Sequence, residues 1–290
     1  MNFIAHIENS VLSQRVIGLG GMLASSVLFS LMSVLIRMAP EIGSYRMSMV
    51  RFGVGITLLG VLAMCGKVSL TFHNRSLLLW RGLIGGISVI MHYYAIIHIG
   101  LAKGTVITYL YPVFAAIFGS IILGERVGMR KSLATTLAFA GLVMTITSES
   151  MDFSGFGLPE TIAIAGAILA GIVVVMIRKL RDSDSAASIF CAQCAVGFWI
   201  VIIPANQSAA VLPLHTALIL VAIGLLAAFG QLLMTYSFKH VTVASGSLLA
   251  MVCPVLNVIF GVLLFGESMT LLNGIGMALV LSACGWMAMK

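Results

Sequence analysis

Two stretches of this chain copy each other inside an almost unbroken apolar sequence. PVFAAIFGSIILGE runs from Pro112 to Glu125, and PVLNVIFGVLLFGE runs from Pro254 to Glu267. The offset, 254 − 112 = 142, is close to half of the 290 residues. Without a gap, the same offset pairs Gly55 with Gly197, Gly82 with Gly224, Tyr94 with Tyr236, His98 with His240 and Gly104 with Gly246. Apolar segments match one another by composition alone. A register that keeps Tyr, His, Pro and Glu together points to duplication of the whole chain. In a membrane setting, duplication implies two halves facing each other around a shared pathway.

The setting follows from charge. Only 9% of residues are charged, 60% are hydrophobic, and the mean hydropathy is +1.14. A soluble domain carries about 25% charged residues, so lipid must cover most of this surface. Runs of about 20 apolar residues cross about 30 Å of hydrocarbon. Such runs occupy 16–36, 46–65, 78–99, 103–123, 129–147, 159–177, 185–204, 215–238, 243–265 and 270–289. They must be helical, because lipid leaves exposed backbone groups unsatisfied and no barrel alternation is visible. The expected fold is an all-α polytopic membrane protein with ten transmembrane helices. Residues 1–15 form a polar cytoplasmic tail, 16–147 a first five-helix unit, 148–158 a linker on the extracytoplasmic side and 159–290 a second five-helix unit. The first run is too long for a cleaved signal peptide and lacks a clear cleavage site, which reads as a retained helix. Five is odd, so the second unit enters the membrane from the opposite side. A 5+5 inverted repeat has two conformations of similar energy, one open to each side.

The net charge of +7 is explained by topology and needs no nucleic acid. With the N-terminus inside, twelve of the 16 Lys and Arg residues fall in cytoplasmic segments and three on the opposite side. That bias places both termini in the cytoplasm. Arg51, inside the second span, is counted on neither side. The pair Cys191-x-x-Cys194 has a metal or redox spacing. It sits mid-helix without His or acidic neighbours, so the cysteines read as small apolar residues. No metal, cofactor or catalytic residue is expected.

The block from Leu101 to Val127 (LAKGTVITYLYPVFAAIFGSIILGERV), preceded by Tyr94-Ala95, resembles the signature of EamA-type transporters of the drug/metabolite transporter superfamily. Its echo from Val243 to Ser268 (VASGSLLAMVCPVLNVIFGVLLFGES) resembles the same signature. The resemblance covers nearly the whole chain. It implies ten helices in a 5+5 inverted repeat, both termini inside and a central cavity. The last helix of each half, 129–147 and 270–289, would lie at the periphery. It also implies transport of metabolites, amino acids or toxic compounds, with relatives that move nucleotide sugars or other anions. The expected function is secondary transport, by alternating access across a bacterial cytoplasmic membrane, of a small amino-acid-like, amphipathic or aromatic metabolite, in the direction of export. The alternative is an exchanger or uptake carrier for an anionic or nucleotide-like metabolite.

Individual residues sharpen this. Pro112 and Pro254 sit near the middle of spans 4 and 9, where proline removes a backbone hydrogen bond. They are candidate hinges or breaks. Glu125 and Glu267 follow a glycine at the exits of those spans and are candidate gates, or else solvated helix ends paired with Arg126 or Arg130. Arg51, at membrane depth, has Gln193 as its repeat partner. Both are candidate substrate contacts, since polar groups at that depth usually face the bundle interior. Arg81 reads as an interface anchor. The chain turns back near Leu101, which places Tyr94 and Tyr109 both about 11 Å below the turn at 1.5 Å per residue. His92, Tyr93, Tyr94, Tyr109 and Tyr111 then share one layer that would line a cavity, faced by Gln231, Tyr236 and Asn257. His92 could carry a proton near neutral pH, which leaves protons a candidate coupling ion.

None of the nine acidic residues lies near a span midpoint, which argues against a buried carboxylate relay and a strongly cationic substrate. An intramembrane enzyme would need a metal cluster or acid pair at depth. A channel would need a ring of one residue type. The chain shows neither. The expected partners are a small-molecule substrate and the lipid bilayer, with the protein a monomer or homodimer.

Overall fold

The computed structural model describes residues 2–39, 41–125, 128–146, 157–206, 213–266 and 269–288. Twelve helical segments occupy these residues: α1 (Asn2–Arg37), α2 (Ser44–Met64), α3 (Arg75–Ile99), α4 (Leu101–Thr108), α5 (Tyr111–Leu123), α6 (Met129–Ile146), α7 (Leu158–Leu180), α8 (Ala186–Asn206), α9 (Leu214–Ser237), α10 (Val243–Ala250), α11 (Val252–Phe265) and α12 (Leu271–Ala288). No strand occurs among the described residues. Seven segments are long and apolar enough to cross a membrane, α10 and α11 counting together as one, and α5 and α12 are shorter apolar helices. The polar stretch ahead of the first span is helical and continuous with α1.

The runs expected as spans 4 and 9 are each broken at their proline, into α4 and α5 and into α10 and α11. Pro112 has no N–H to give the Thr108 carbonyl four residues back, and Pro254 has none for Ala250. Helix α4 ends at Thr108 and α10 ends at Ala250. The backbone bridges each break with a tighter turn. Leu110 N–H donates to Ile107 O at 3.2 Å, and Met251 N–H donates to Leu248 O at 3.0 Å. At the far ends of the broken helices, Gly124 and Gly266 both adopt φ +65°, which L side chains resist, and close left-handed caps on Gly119 and Gly261.

The repeat is visible in the boundaries. Helix α2 starts at 44 and α8 at 186, α4 at 101 and α10 at 243, α6 at 129 and α12 at 271, each pair 142 apart. Packing obeys the same exchange. Helix α1 lies on α9 as α7 lies on α3, and α3 lies on α8 as α9 lies on α2. Helix α2 meets its own counterpart α8, and α6 meets α12.

Glycines permit these approaches. A Cβ at Gly82 would fall 2.8 Å from Val196 Cβ, and one at Gly224 would fall 2.7 Å from Val54 Cβ. Val54 and Val196 are themselves 142 residues apart, so one close contact is built twice. Small residues let membrane helices touch backbone to side chain, where dispersion rather than water exclusion holds them. Outward, Ile121, Trp199, Ile203, Leu214 and Leu263 are 72–76% exposed, as lipid contact requires.

Candidate solute-binding cavity

Between the halves lies a cavity of about 140 Å³, lined from α1–α5 of the first half and α7–α10 of the second. Methionine, phenylalanine and valine side chains (Met22, Phe29, Met32, Val173, Met234) form its apolar wall. Ser25, Ser26, Ser33, Ser88 and Thr108 contribute hydroxyls. The two residues whose carbonyls the prolines release, Thr108 and Ala250, both line it.

The polar centre is cationic. Arg81 on α3 is 1% exposed and Arg51 on α2 is 4% exposed. Arg81 Nη2 donates to Gln193 Oε1 at 3.0 Å, while Gln193 Nε2 donates to Gly85 O at 3.4 Å. Arg51 Nη1 donates to the Tyr93 hydroxyl at 3.2 Å, and its guanidinium lies 5.7 Å from that ring's centroid. The Tyr93 hydroxyl donates in turn to Met32 Sδ at 3.5 Å. Neither arginine pairs with a carboxylate among the described residues.

Of the side chains singled out in the sequence, the structure gathers Arg51, His92, Tyr109, Tyr111, Gln193 and Gln231 at the cavity. Tyr93 is fully buried behind it and supports Arg51. Asn257 is buried next to the α1 wall, where its Oδ1 accepts from Ser30 Oγ at 2.6 Å. Tyr94 and Tyr236 are not brought there. Tyr94 stacks on His98 at 3.8 Å, and Tyr236, 44% exposed, lies 5.2 Å from His240. Arg81 corrects the interface-anchor expectation: it is a buried cavity residue. The missed signal was Gly85, one turn further along α3, which leaves the space that the Arg81 side chain enters. A methyl at Gly85 would overlap the Arg81 guanidinium.

Glu125 finds partners across the halves rather than Arg130 beside it. Its Oε2 accepts from Val243 N–H, at the start of α10, at 3.0 Å, and its Oε1 lies 3.8 Å from Arg178 Nε. At the same end of the bundle Lys131 Nζ donates to Thr242 Oγ1 at 3.2 Å. Asp184, also there and 3% exposed, accepts from His73 N–H at 2.8 Å and Asn74 N–H at 3.3 Å. Burial opposes its ionisation, but those two groups and the Ser183 hydroxyl prevail and hold the carboxyl below its ordinary value. Glu267 lies outside the described residues.

An all-helical bundle, apolar on its outside, with a largely apolar cavity that has a polar centre between duplicated halves, defines an integral membrane protein of the transporter class. The model of the EamA-like transporter family matches residues 16–147 and again 158–289. The chain belongs to the EamA-like transporter family. It is similar to the pseudopaline exporter CntI of Pseudomonas aeruginosa, 26% identical over 90% of this chain and 92% of the relative. It is also similar to an uncharacterized transporter of Archaeoglobus fulgidus, 26% identical over 91% of this chain and 94% of that one. A solved structure 18% identical superposes with a TM-score of 0.76 over 94% of this chain and 96% of the other, a likeness of fold. Family and relatives are transporters, and the chain is not an enzyme.

Proposed function

We propose that this protein is a secondary transporter that exports a small organic metabolite across a bacterial cytoplasmic membrane by alternating access. Ten crossings form a 5+5 inverted repeat of residues 16–147 and 159–290, with both termini cytoplasmic. The observation that carries this reading is the position of the cavity: it sits where equivalent helices of the two halves meet, and residues of both halves line it. Two copies of one unit with unlike conformations can exchange them, which moves the opening from one side to the other.

The hydrogen bonds from Val243 N–H to Glu125 and from Lys131 to Thr242, with the Arg178–Glu125 ion pair, join the halves at one end. With the positive-inside orientation that end is cytoplasmic, and Glu125 acts as the inner gate. The breaks at Pro112 and Pro254 let the two parts of each interrupted helix tilt independently, so the gate opens without unpacking the bundle. Export as the direction is supported by the exporter named among the relatives.

The test is solute exchange by full-length protein in liposomes, screened over small metabolites and repeated with Gln193→Ala. Exchange that falls in the variant while protein yield and orientation stay unchanged supports the reading. Exchange that equals that of protein-free vesicles for every solute stabilising the purified protein would contradict it.

A further inference from the structure

We propose that Arg51 and Arg81 form a receptor for an oxyanion, and that the transported solute carries a carboxylate or a group of like geometry at that end. This deepens the transport reading and rests on it. Two buried guanidinium groups enter one cavity of about 140 Å³, and no carboxylate stands among its described lining residues. Arg51 Nε, Arg81 Nε and Arg81 Nη1 have no hydrogen-bond partner among the described residues, and neither does His92 Nδ1, which lines the same cavity. Each is a polar atom removed from water and left unsatisfied. A buried cation without an anion is costly and persists where a ligand completes it.

The chemistry of the missing partner follows from the donors. A guanidinium presents N–H groups in a planar fork that matches the two oxygens of a carboxylate. The protein contacts already made hold the forks without neutralising them. Gln193 Oε1 occupies one Arg81 donor, and the Tyr93 hydroxyl occupies one Arg51 donor. Both partners are neutral.

The repeat gives direction. Position 51 corresponds to Gln193, position 81 to Ile223 and position 92 to Met234. The cations therefore belong to the first half alone. A solute would set its anionic end against α2 and α3 and the rest of itself against Val173, Val174 and Met234 on α7 and α9.

The test uses purified full-length protein in detergent, with thermal unfolding read in succinate and in benzoate against their neutral amides, at constant ionic strength and pH. Inorganic phosphate is run beside them. The wild type is expected to gain Tm with the logarithm of carboxylate concentration and to gain none with the amides. Arg51→Gln and Arg81→Gln are expected to need about tenfold more carboxylate or worse, the loss of one charge-assisted hydrogen bond. Gly85→Ala keeps both charges and displaces the Arg81 head, so it should weaken the effect while the helix remains formed. A larger gain with phosphate than with either carboxylate would assign the forks to a phosphoryl group and overturn the carboxylate form of the proposal. Equal gains in wild type and all three variants, or no gain with any anion, would overturn the receptor itself. Liposome exchange separates the two readings. Exchange of neutral solutes without an anion-dependent Tm removes the receptor and keeps the transporter. An anion-dependent Tm with no exchange of any solute keeps the receptor and removes the transporter.

Discussion

Arg51 and Gln193 were legible in the sequence because the repeat sets one polar residue against another at membrane depth. Arg81 was not. The apolar run starts at residue 78, but α3 begins at Arg75, so Arg81 lies six residues inside the helix, about 9 Å of rise. Tyr94 failed in the opposite way. Depth along the helix placed it beside Tyr93, but adjacent residues point about 100° apart around a helix axis. Tyr93 therefore faces Arg51 while Tyr94 turns to His98. The Tyr93 hydroxyl is the one hydrogen-bonding oxygen that Arg51 finds among the described residues. Tyr93→Phe is expected to lower stability by about 1 kcal/mol, the worth of one buried hydrogen bond, and to weaken transport. Chemical unfolding and vesicle flux measure the two effects. Arg81→Met should behave differently. Removing a buried charge that lacks a counter-charge leaves stability unchanged or raised, so flux is expected to collapse without any fall in Tm.

At the level of helices, the two prolines were readable as interruptions, but the freed carbonyls acquire meaning only from the cavity that Thr108 and Ala250 line. Pro254→Ala returns an N–H to the Ala250 carbonyl and allows α10 and α11 to fuse. Thermal stability is expected to hold or rise, and the exchange rate to fall. Gly124 is a different case. Its φ of +65° suits glycine, and Gly124→Ala should cost about 1 kcal/mol in thermal unfolding without altering the cavity. The connections carry a pH signature. Asp184 has a folded pKa below its unfolded one, so its contribution is fully present above the unfolded value and is lost as pH falls through the folded value. Acidification should therefore lower Tm in wild type more steeply than in Asp184→Asn. This carboxylate's setting was not legible in the sequence: Asp184 accepts from His73 N–H and Asn74 N–H, more than 100 residues away, a pairing set by how the halves dock.

For the whole molecule, the duplication was readable from one offset, and helix boundaries and packing repeat that offset. What the sequence could not supply is which equivalent positions touch. One crossing illustrates this. Ser25 on α1 donates to Gly230 O on α9 at 2.8 Å, and Ser88 on α3 donates to Gly166 O on α7 at 3.2 Å. Positions 88 and 230 are equivalent, so the α1–α9 crossing and its counterpart α7–α3 are each bonded there, with the hydroxyl donated from non-equivalent helices. Such near-equivalence lets two copies of one fold hold unlike conformations. The decisive measurement is a pair of spin-label distances in liposomes, one between Gly128 and Lys239 at the latched end and one between Gly43 and Leu214 at the other, all four exposed. Adding transported solute or substituting Glu125 should shift the two distances in opposite senses, one lengthening as the other shortens. Distances that lengthen together, or that stay single and fixed under every condition while flux continues, would contradict an exchange of shape between the halves.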